Sequence, residues 1–177
     1  MKIFLSPLGE KDFDTLIRWA ESPKELLLWA GPQLKFPLTI EQLSAYLAPS
    51  KAINPRMYAY TAKADEAAET VGMAELNSVD RVNGTGTLCR IYVNKIHRGK
   101  GIAEDMIKQV LKFGFEDLRL RRIDLRVYSF NTPAVKCYEK LGFVQEGCLR
   151  QFTKFENGHW DVLIYSMLVG EWVNLNI

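Results

Sequence analysis

The sequence RGKGIA at residues 98–103 joins a segment typical of a β-strand to a segment typical of an α-helix. The preceding residues 88–93, LCRIYV, carry β-branched and aromatic side chains, which favour strands. In residues 103–118, apolar side chains recur every three or four positions, which predicts an amphipathic helix. Together these segments predict an anion-binding site, because the free N–H groups and the dipole of a helix N-terminus attract phosphate oxygens.

The composition of the turn supports this prediction. Gly99 and Gly101 permit backbone conformations that a Cβ atom would forbid, and they leave space for a ligand close to the main chain. Arg98 and Lys100 add two positive charges beside them. The turn is therefore expected to hold the phosphates of a ligand.

Two well-known phosphate-binding loops do not fit this turn. A Walker loop needs its lysine after the second glycine and then Ser or Thr, whereas Lys100 lies between the glycines and Ile102 follows them. A Rossmann fingerprint needs three glycines early in a βαβ unit and an acid about twenty residues later. Here only Gly99 and Gly101 are present, and Asp124 alone could serve as the acid.

A third loop fits in register. The pyrophosphate loop of the N-acetyltransferase (GNAT) superfamily has the pattern Gln or Arg, two residues, Gly, one residue, and then Gly or Ala. Arg98, Gly101 and Ala103 occupy these positions, so the turn resembles that loop.

Residues 131–143, NTPAVKCYEKLGF, resemble the second signature of the same superfamily. Asn131, an alanine three positions later, Tyr138 and a closing Gly-Phe occupy the matching positions. Thr132 is expected to cap this helix, and Gly142 to end it in a left-handed conformation. The chain is identified as a member of the GNAT superfamily, on a resemblance that covers roughly its second half.

The resemblance implies an α/β (α+β) protein with the GNAT fold, in which about four helices flank a central mixed, mostly antiparallel sheet of six to seven strands. Two helices in series are expected after the first strand, and residues 1–177 are expected to form a single domain. The sequence HWD at residues 159–161 resembles the branch containing the ribosomal-protein N-terminal and spermidine acetyltransferases. Periodicity and turn signals predict strands at residues 2–6, 57–62, 70–77, 88–93, 122–127 and 160–167, with turns at 63–69 and 78–87. A further strand is predicted after Phe143, leading into a hairpin turn at Asn157-Gly158.

Composition excludes several other classes of protein. A net charge of +2 is too small to indicate nucleic-acid binding, and 47% hydrophobic with 25% charged residues is ordinary for a globular chain. Cys89, Cys137 and Cys148 are odd in number and form no CxxC motif, so neither a disulfide framework nor a metal site is expected. The apolar start of the chain is too short for a signal peptide or a membrane anchor, so we expect a cytoplasmic protein that binds no membrane.

The resemblance implies acetyl-coenzyme A (acetyl-CoA) as the cosubstrate, bound where the central strand parts from its neighbour. A strand edge offers main-chain donors and acceptors to the amide-bearing pantetheine arm, much as it would to an added peptide strand. Asn131 is expected to bond that arm or to fix the turn after its strand. The implied contacts are Ile91, Tyr92 and Val93 for the arm, and Arg98, Gly99, Lys100, Gly101, Ile102 and Ala103 for the pyrophosphate.

For catalysis, the resemblance implies transfer of the acetyl group to a primary amine by direct attack through a tetrahedral intermediate. Tyr138 is the implied general acid for the departing thiolate, although a tyrosine that only packs on the sheet would give the same spacing. Glu75 is the candidate base, because it shares a strand face with apolar side chains and burial would raise its pKa. A glutamate that reaches solvent or pairs with an arginine is the alternative. Some relatives carry their base on the strand before the Asn, at a position that Arg126 holds here, so that mechanism does not transfer.

The acceptor amine is left open, with Trp29 and Glu75 as candidate contacts. Trp29 lies in a segment that suggests an apolar, aromatic rim, and aromatic core packing is the alternative. The acids Glu21, Glu25 and Glu41 are scattered, which argues slightly against a polyamine. A non-catalytic GNAT domain that binds acyl-CoA as a sensor is the alternative function. Edge pairing of the terminal strands is compatible with a homodimer.

Overall fold

The computed structural model of the protein describes residues 3–64 and 69–174. These residues form one sheet of seven strands in the order β1-β2-β3-β4-β5-β7-β6, with six α-helices. The strands are β1 (Ile3–Pro7), β2 (Tyr58–Ala64), β3 (Glu69–Asp80), β4 (Thr85–Val93), β5 (Arg122–Tyr128), β6 (Val144–Phe155) and β7 (Gly158–Leu168). The helices are α1 (Phe13–Trp19), α2 (Pro23–Ala30), α3 (Ile40–Leu47), α4 (Ile102–Lys112), α5 (Thr132–Lys140) and α6 (Val169–Asn174).

One pair of strands in the sheet is parallel, and it parts along its length. Strands β4 and β5 pair only from Thr85 opposite Arg122 to Leu88 opposite Leu125, while the other neighbouring strands pair antiparallel. The rest of β4 therefore keeps β3 on one side and presents an open edge on the other. This opening lies in the middle of the sheet.

Strand β4 contains a bulge where the opening begins. Glu75 pairs with Cys89 and Met73 pairs with Tyr92, so three steps along β4 match two steps along β3. Arg90, in the extra stretch, has a φ of +51°. A bulge bends its strand and re-aims side chains, and this one turns Arg90 towards Glu75 on the neighbouring strand.

Two apolar clusters pack on the sheet. The larger contains residues of α4, α5 and α6, and the other contains residues of α1, α2 and α3. Met73 and Ala74 are adjacent on β3 but belong to different clusters, as expected for side chains that alternate between the two faces of a strand. The helices that follow the glycine loop and those that follow β1 therefore cover opposite faces.

Gly72 allows close packing at the centre of the larger cluster. A Cβ atom at this position would lie 2.6 Å from the carbonyl oxygen of Tyr92 and 2.9 Å from Sδ of Met106 on α4. The missing side chain lets α4 approach β3 beside the end of β4. This contact helps to set where α4 begins relative to the open strand edge.

The structure confirms the predicted fold class, but its described residues form six α-helices instead of about four, and three further details differ. Three helices rather than two follow β1, because the apolar segment without clear period forms α2, capped by the Ser22 side chain. Strands β3 and β4 extend further than predicted, so their turn shortens to residues 81–84. Asn131 rather than Thr132 occupies the N-cap of α5, whereas Gly142 has the predicted positive φ of 88°.

Some predictions fall on residues outside the described part of the chain. Residue 2 of the predicted first strand and residues 65–68 of the predicted turn lie outside the described residues. The single domain predicted for residues 1–177 stays a prediction.

Replacing Gly72 with alanine tests the packing of α4 on β3. We expect Gly72→Ala to lower the free energy of unfolding by about 1–3 kcal/mol, because a backbone oxygen cannot move away as a flexible side chain could. Gly170→Ala in α6 is the matched control, since no heavy atom lies within 4 Å of its added Cβ, and it should leave stability unchanged or slightly higher. Urea unfolding measures both, and equal stabilities of the two variants would contradict the packing argument.

Candidate active site

The glycine loop adopts the conformation that its sequence predicts. Gly99 and Gly101 have φ values of +76° and +78°, in the left-handed region that disfavours side chains. Helix α4 begins directly after Gly101, and no side chain caps its first turn. Ile102 is buried and anchors the start of the helix, so its N–H group rather than its side chain is available at the loop. The loop thus presents uncapped N–H groups beside two exposed cations.

Arg98 ties this loop to the end of β4. Its Nε donates a hydrogen bond to the carbonyl oxygen of Val93 at 3.0 Å, and its guanidinium lies 5.4 Å from the centre of the Tyr92 ring. Lys100 is exposed. The positive charges of the loop therefore lie next to the end of the open edge of β4.

The side chain of Tyr92 points away from the open edge. It is buried in the cluster of α1–α3, with ring centres of Trp19 and Trp29 at 5.0 and 5.5 Å. Only the main chain of Tyr92 can therefore contribute to binding at the edge. Trp19 is likewise a core residue of this cluster.

Helix α5 brings Tyr138 into the larger cluster. The side chain is buried, packs edge-on against Phe143, and makes no hydrogen bond within the described residues. Burial raises the pKa of its phenol, with smaller contributions from the nearby Cys137 and Cys89 thiols. The hydroxyl therefore keeps its proton at neutral pH and is able to donate it. Asn131 precedes this helix half-buried, with no capping bond from its side chain.

Glu75 lies at the centre of a buried polar cluster. It is fully buried, and its carboxylate accepts hydrogen bonds from Tyr46 Oη at 2.6 and 2.8 Å, Asn77 Nδ2 at 2.6 Å and Arg90 Nη1 at 3.1 Å. The Cys89 thiol lies 3.5 Å from the same oxygen that Asn77 and Arg90 contact. Pairing with an arginine is therefore what the structure shows for Glu75. Arg90 could not be assigned as this partner from the sequence. The same signal that singled out Glu75, a charged residue between apolar strand residues, was nevertheless present at Arg90.

The groups around Glu75 hold their protons. Burial raises the pKa of Tyr46, and the Glu75 carboxylate raises it further. Burial likewise raises the pKa of the Cys89 thiol. For Arg90, burial acts to lower the pKa, but the combined effects of Glu75, Cys89 and Tyr46 outweigh it, so the pKa is raised. The cluster therefore contains a cation against the carboxylate and two neutral proton donors.

Arg90 is held on several sides but has one donor without a partner. Its guanidinium lies 4.5 Å above the Tyr46 ring, and Nη2 donates to Oε1 of Gln33 at 2.6 Å. Within the described residues, the buried Nε has no hydrogen-bond partner. Gln33 belongs to the segment between α2 and α3, so this bond ties that segment to the bulge of β4.

A small cavity of about 10 Å³ lies against this cluster, roughly the space of one water molecule. Trp29 lines it together with Tyr46, Glu75 and Arg90, and the other walls are apolar. Trp29 is buried rather than placed at a rim, and its Nε1 has no partner within the described residues. The cavity thus joins the two candidate acceptor contacts, Trp29 and Glu75.

Residues 3–64 and 69–174 contain no group of three or more His, Cys, Asp or Glu side chains arranged to hold a metal ion. Over the same ranges, no helix is long and apolar enough to span a bilayer.

The sequence model of the acetyltransferase (GNAT) family matches residues 13–143. The chain belongs to this family. It is 40% identical over 98 residues to the SPbeta prophage-derived uncharacterized N-acetyltransferase YokL of Bacillus subtilis (strain 168), covering 55% of this chain and 54% of that one. It is 31% identical over 104 residues to the spermidine N(1)-acetyltransferase of Vibrio cholerae serotype O1, covering 59% and 60%. The matches thus span a little more than half of these relatives.

Solved structures share the GNAT fold with this family member. The spermidine N-acetyltransferase from Vibrio cholerae in complex with CoA and spermine superposes with a TM-score of 0.85 at 23% identity, covering 97% of this chain and 98% of that one. A dodecameric structure of the enzyme from the same organism gives a TM-score of 0.78 at 24% identity, covering 99% and 98%. The family and fold predictions are confirmed.

Removing the charge of Glu75 tests the buried ion pair. Glu75→Gln leaves the Arg90 guanidinium buried without its anion, so we expect the free energy of unfolding to fall by about 3–5 kcal/mol. The double variant Glu75→Gln with Arg90→Met removes both charges and should be more stable than Glu75→Gln alone. Urea unfolding of wild type, both single variants and the double variant measures the coupling. Additive losses would show that the two charges do not interact.

Proposed function

We propose that this GNAT protein is an acetyl-CoA-dependent N-acetyltransferase that moves the acetyl group to a primary amine by direct attack through a tetrahedral intermediate. One observation carries the proposal: the part of β4 that has separated from β5 leads directly into an uncapped, cationic helix N-terminus. This arrangement offers hydrogen bonds to an amide-bearing chain at one end and to phosphates at the other. The N-acetyltransferase activity named for the relatives is of the same class.

The proposed cofactor contacts follow that geometry. The main chain of Ile91, Tyr92 and Val93 binds the pantetheine arm, because this stretch of β4 has no partner on the β5 side. The loop binds the pyrophosphate through main-chain N–H groups near Gly101 and through the charges of Arg98 and Lys100. Asn131, whose side chain makes no capping bond, contributes at the same opening. The residues proposed at the pyrophosphate are Arg98, Gly99, Lys100, Gly101, Ile102 and Ala103.

Two groups are proposed to stabilise the reacting centre. A backbone N–H near Ile91 bonds the thioester oxygen and holds it as it gains negative charge, as a fixed dipole in a dry site does. Tyr138 gives its proton to the departing thiolate. Burial raises the pKa of the Tyr138 phenol, so the proton stays in place until the thiolate forms in contact with it, where the same burial makes that thiolate more basic than it is in water.

Glu75 is also the proposed base. Its surroundings suggest a route by which a proton of the acceptor's ammonium group would reach the carboxylate. Tyr46 donates to both oxygens of the carboxylate and lines the same cavity. A proton taken from the ammonium group of the acceptor can pass to Tyr46 while Tyr46 passes its own proton to Glu75. This relay leaves Tyr46 neutral at every stage, as its raised pKa requires.

Assembly and location are proposed on separate grounds. Strand β6 is a 12-residue edge strand of the sheet, and it exposes Val144 and Phe152. Such an edge can pair with a second copy, so we propose a homodimer through it, in line with the oligomer formed by the structural neighbour. We propose a cytoplasmic location because Cys89, Cys137 and Cys148 are all free thiols.

Replacing Gly101 with alanine tests the phosphate loop. A left-handed conformation costs an alanine about 1–2 kcal/mol, so the free loop is expected to relax in Gly101→Ala and CoA must restore its conformation, which weakens CoA binding by about 5–30-fold. Calorimetric titration of CoA measures this change. Gly170→Ala, remote from the loop, should bind as wild type does, and an unchanged affinity in Gly101→Ala would remove the loop from the binding site.

Replacing Tyr138 with phenylalanine tests the general acid. We expect Tyr138→Phe to lower kcat by about 100-fold or more while CoA affinity stays unchanged, because only proton donation is lost. Release of CoA thiol from acetyl-CoA, with polyamines, aminoglycosides, amino acids and N-terminal peptides as acceptors, measures the rate. Tyr60→Phe is the control, since Tyr60 lies on β2 with its own pKa raised by burial to about 12. CoA binding without turnover of any acceptor would favour the sensor function instead.

A further inference from the structure

The guanidinium of Arg90 presents a partly empty hydrogen-bonding fork. Nη1 faces Glu75, while Nε and Nη2 lie along one edge of the planar group. Nη2 donates to a single amide oxygen of Gln33, and Nε has no partner within the described residues. This edge matches the two oxygens of a carboxylate, which bind an arginine through two parallel hydrogen bonds.

The fork is fixed in position before any ligand binds. The Arg90 side chain is 10% exposed, and Glu75, the Tyr46 ring and Gln33 each hold a different part of it. Its backbone φ of +51° at the bulge is a conformation that a non-glycine residue rarely adopts. Such strained positions cluster at ligand sites, because the surrounding contacts maintain a geometry that the ligand uses. A rigid donor pair also loses little conformational entropy on binding.

Gln33 occupies the fork in the way a weak substitute ligand would. It comes from an exposed position between α2 and α3, and it supplies one neutral oxygen to a fork that has two donors. A carboxylate would fill both donors and bring a negative charge to a buried cation. Displacement of Gln33 would also release the segment that closes over the small cavity, making room for a molecule larger than one water.

The charges of the cluster favour a carboxylate over a polyamine. The Glu75 oxygens already accept bonds from Tyr46, Asn77 and Arg90, so little capacity is left for a second ammonium group. Arg90 itself repels cations. Arg90 also directly precedes Ile91, whose N–H is the proposed thioester contact, so the fork and the proposed reacting centre belong to the same stretch of β4.

We propose that the acceptor is a small amino acid, in the broad sense of a primary amine and a carboxylate in one molecule, and that the Nε–Nη2 edge of Arg90 binds its carboxylate in place of Gln33. This inference rests on the proposed acetyl transfer. It assigns Arg90 as a specificity-determining residue and Gln33 as the group that the acceptor displaces. Trp29, whose Nε1 has no partner within the described residues, lines the same cavity.

Matched acceptors test the fork directly. Amino acids and their carboxamides differ at the group that Arg90 binds, and the less basic α-amine of the amides acts in the amides' favour. We therefore expect a preference for the acid to report on Arg90, with kcat/KM in wild type at least tenfold higher for the acid. α-Amino acids and ω-amino acids are tested separately. The better series shows which spacing between amine and carboxylate the site accepts. Spermidine and an N-terminal peptide complete the panel.

Three variants separate the fork from general effects. Arg90→Lys keeps a cation beside Glu75 but lacks the planar fork, so the ratio of acid to amide should fall towards 1 through KM. Gln33→Ala empties the fork and should lower KM for the acids about 3–10-fold, which a merely structural residue would not do. Lys35→Ala changes another residue of the same segment. At a salt concentration that screens its charge, it should leave the ratio of acid to amide and the KM for the acids unchanged. Thermal unfolding checks that each variant is folded.

The outcomes distinguish this inference from the proposed function. Transfer to spermidine, peptides or carboxamides as efficiently as to the acids would overturn the inference while the acetyltransferase activity stood. Absence of transfer to every acceptor would overturn the proposed function. In that case calorimetric titration of the CoA-saturated protein with amino acids and amides still tests the fork. Loss of acid binding in Arg90→Lys would support it, and equal binding of acids and amides would refute it.

Discussion

The bulge in β4 is the constraint on which the central site depends. A regular strand would place alternate side chains on opposite faces, and Cys89 and Arg90 could not both contact Glu75. The extra residue turns Arg90 to the face that carries Glu75. The left-handed conformation of a non-glycine residue costs about 1–3 kcal/mol, and the packing and hydrogen bonds of the surrounding residues maintain it. The same stretch of strand is the one that has lost its pairing with β5.

The ion pair between Glu75 and Arg90 contributes geometry more than stability. Burying two charges is costly, and well-packed apolar residues often match or exceed the stability of such a pair. What apolar residues could not supply is a cation held at a fixed angle beside an open strand edge. The pair also leaves the cluster without net charge, which distinguishes it from a pocket built to hold several ammonium groups.

The parts of the site that could be predicted from the sequence are those whose conformation is local. Gly99 and Gly101 stand directly before a helix, where glycine permits the left-handed turn that the structure shows. The residues from Asn131 to Tyr138 form the N-cap and body of a single helix, so their spacing is also local. Glu75 could be singled out as a charge on an apolar strand face. Its partner could not be identified, because Arg90 meets it only through the register of two strands and an irregular bulge.

Contacts over long separations account for the remaining differences. Tyr46 lies 29 positions before Glu75, and Gln33 lies 57 positions before Arg90, so no periodic pattern connects them. Helix α2 was missed because its apolar residues follow no clear period, and its burial depends on the helices around it. The sequence also does not show which side of α2 meets the sheet. The burial of Trp29 could therefore not be distinguished from a position at the rim.

The bond between Gln33 and Arg90 has a consequence for the protein when no acceptor is present. A thioester is open to attack by water as well as by an amine, and each such event would consume acetyl-CoA without a product. With Gln33 in place the cavity beside the proposed reacting centre has room for roughly one water molecule, between largely apolar walls. On the proposed mechanism the site therefore holds little water while Gln33 is in place, and we expect hydrolysis of acetyl-CoA without an acceptor to be slow.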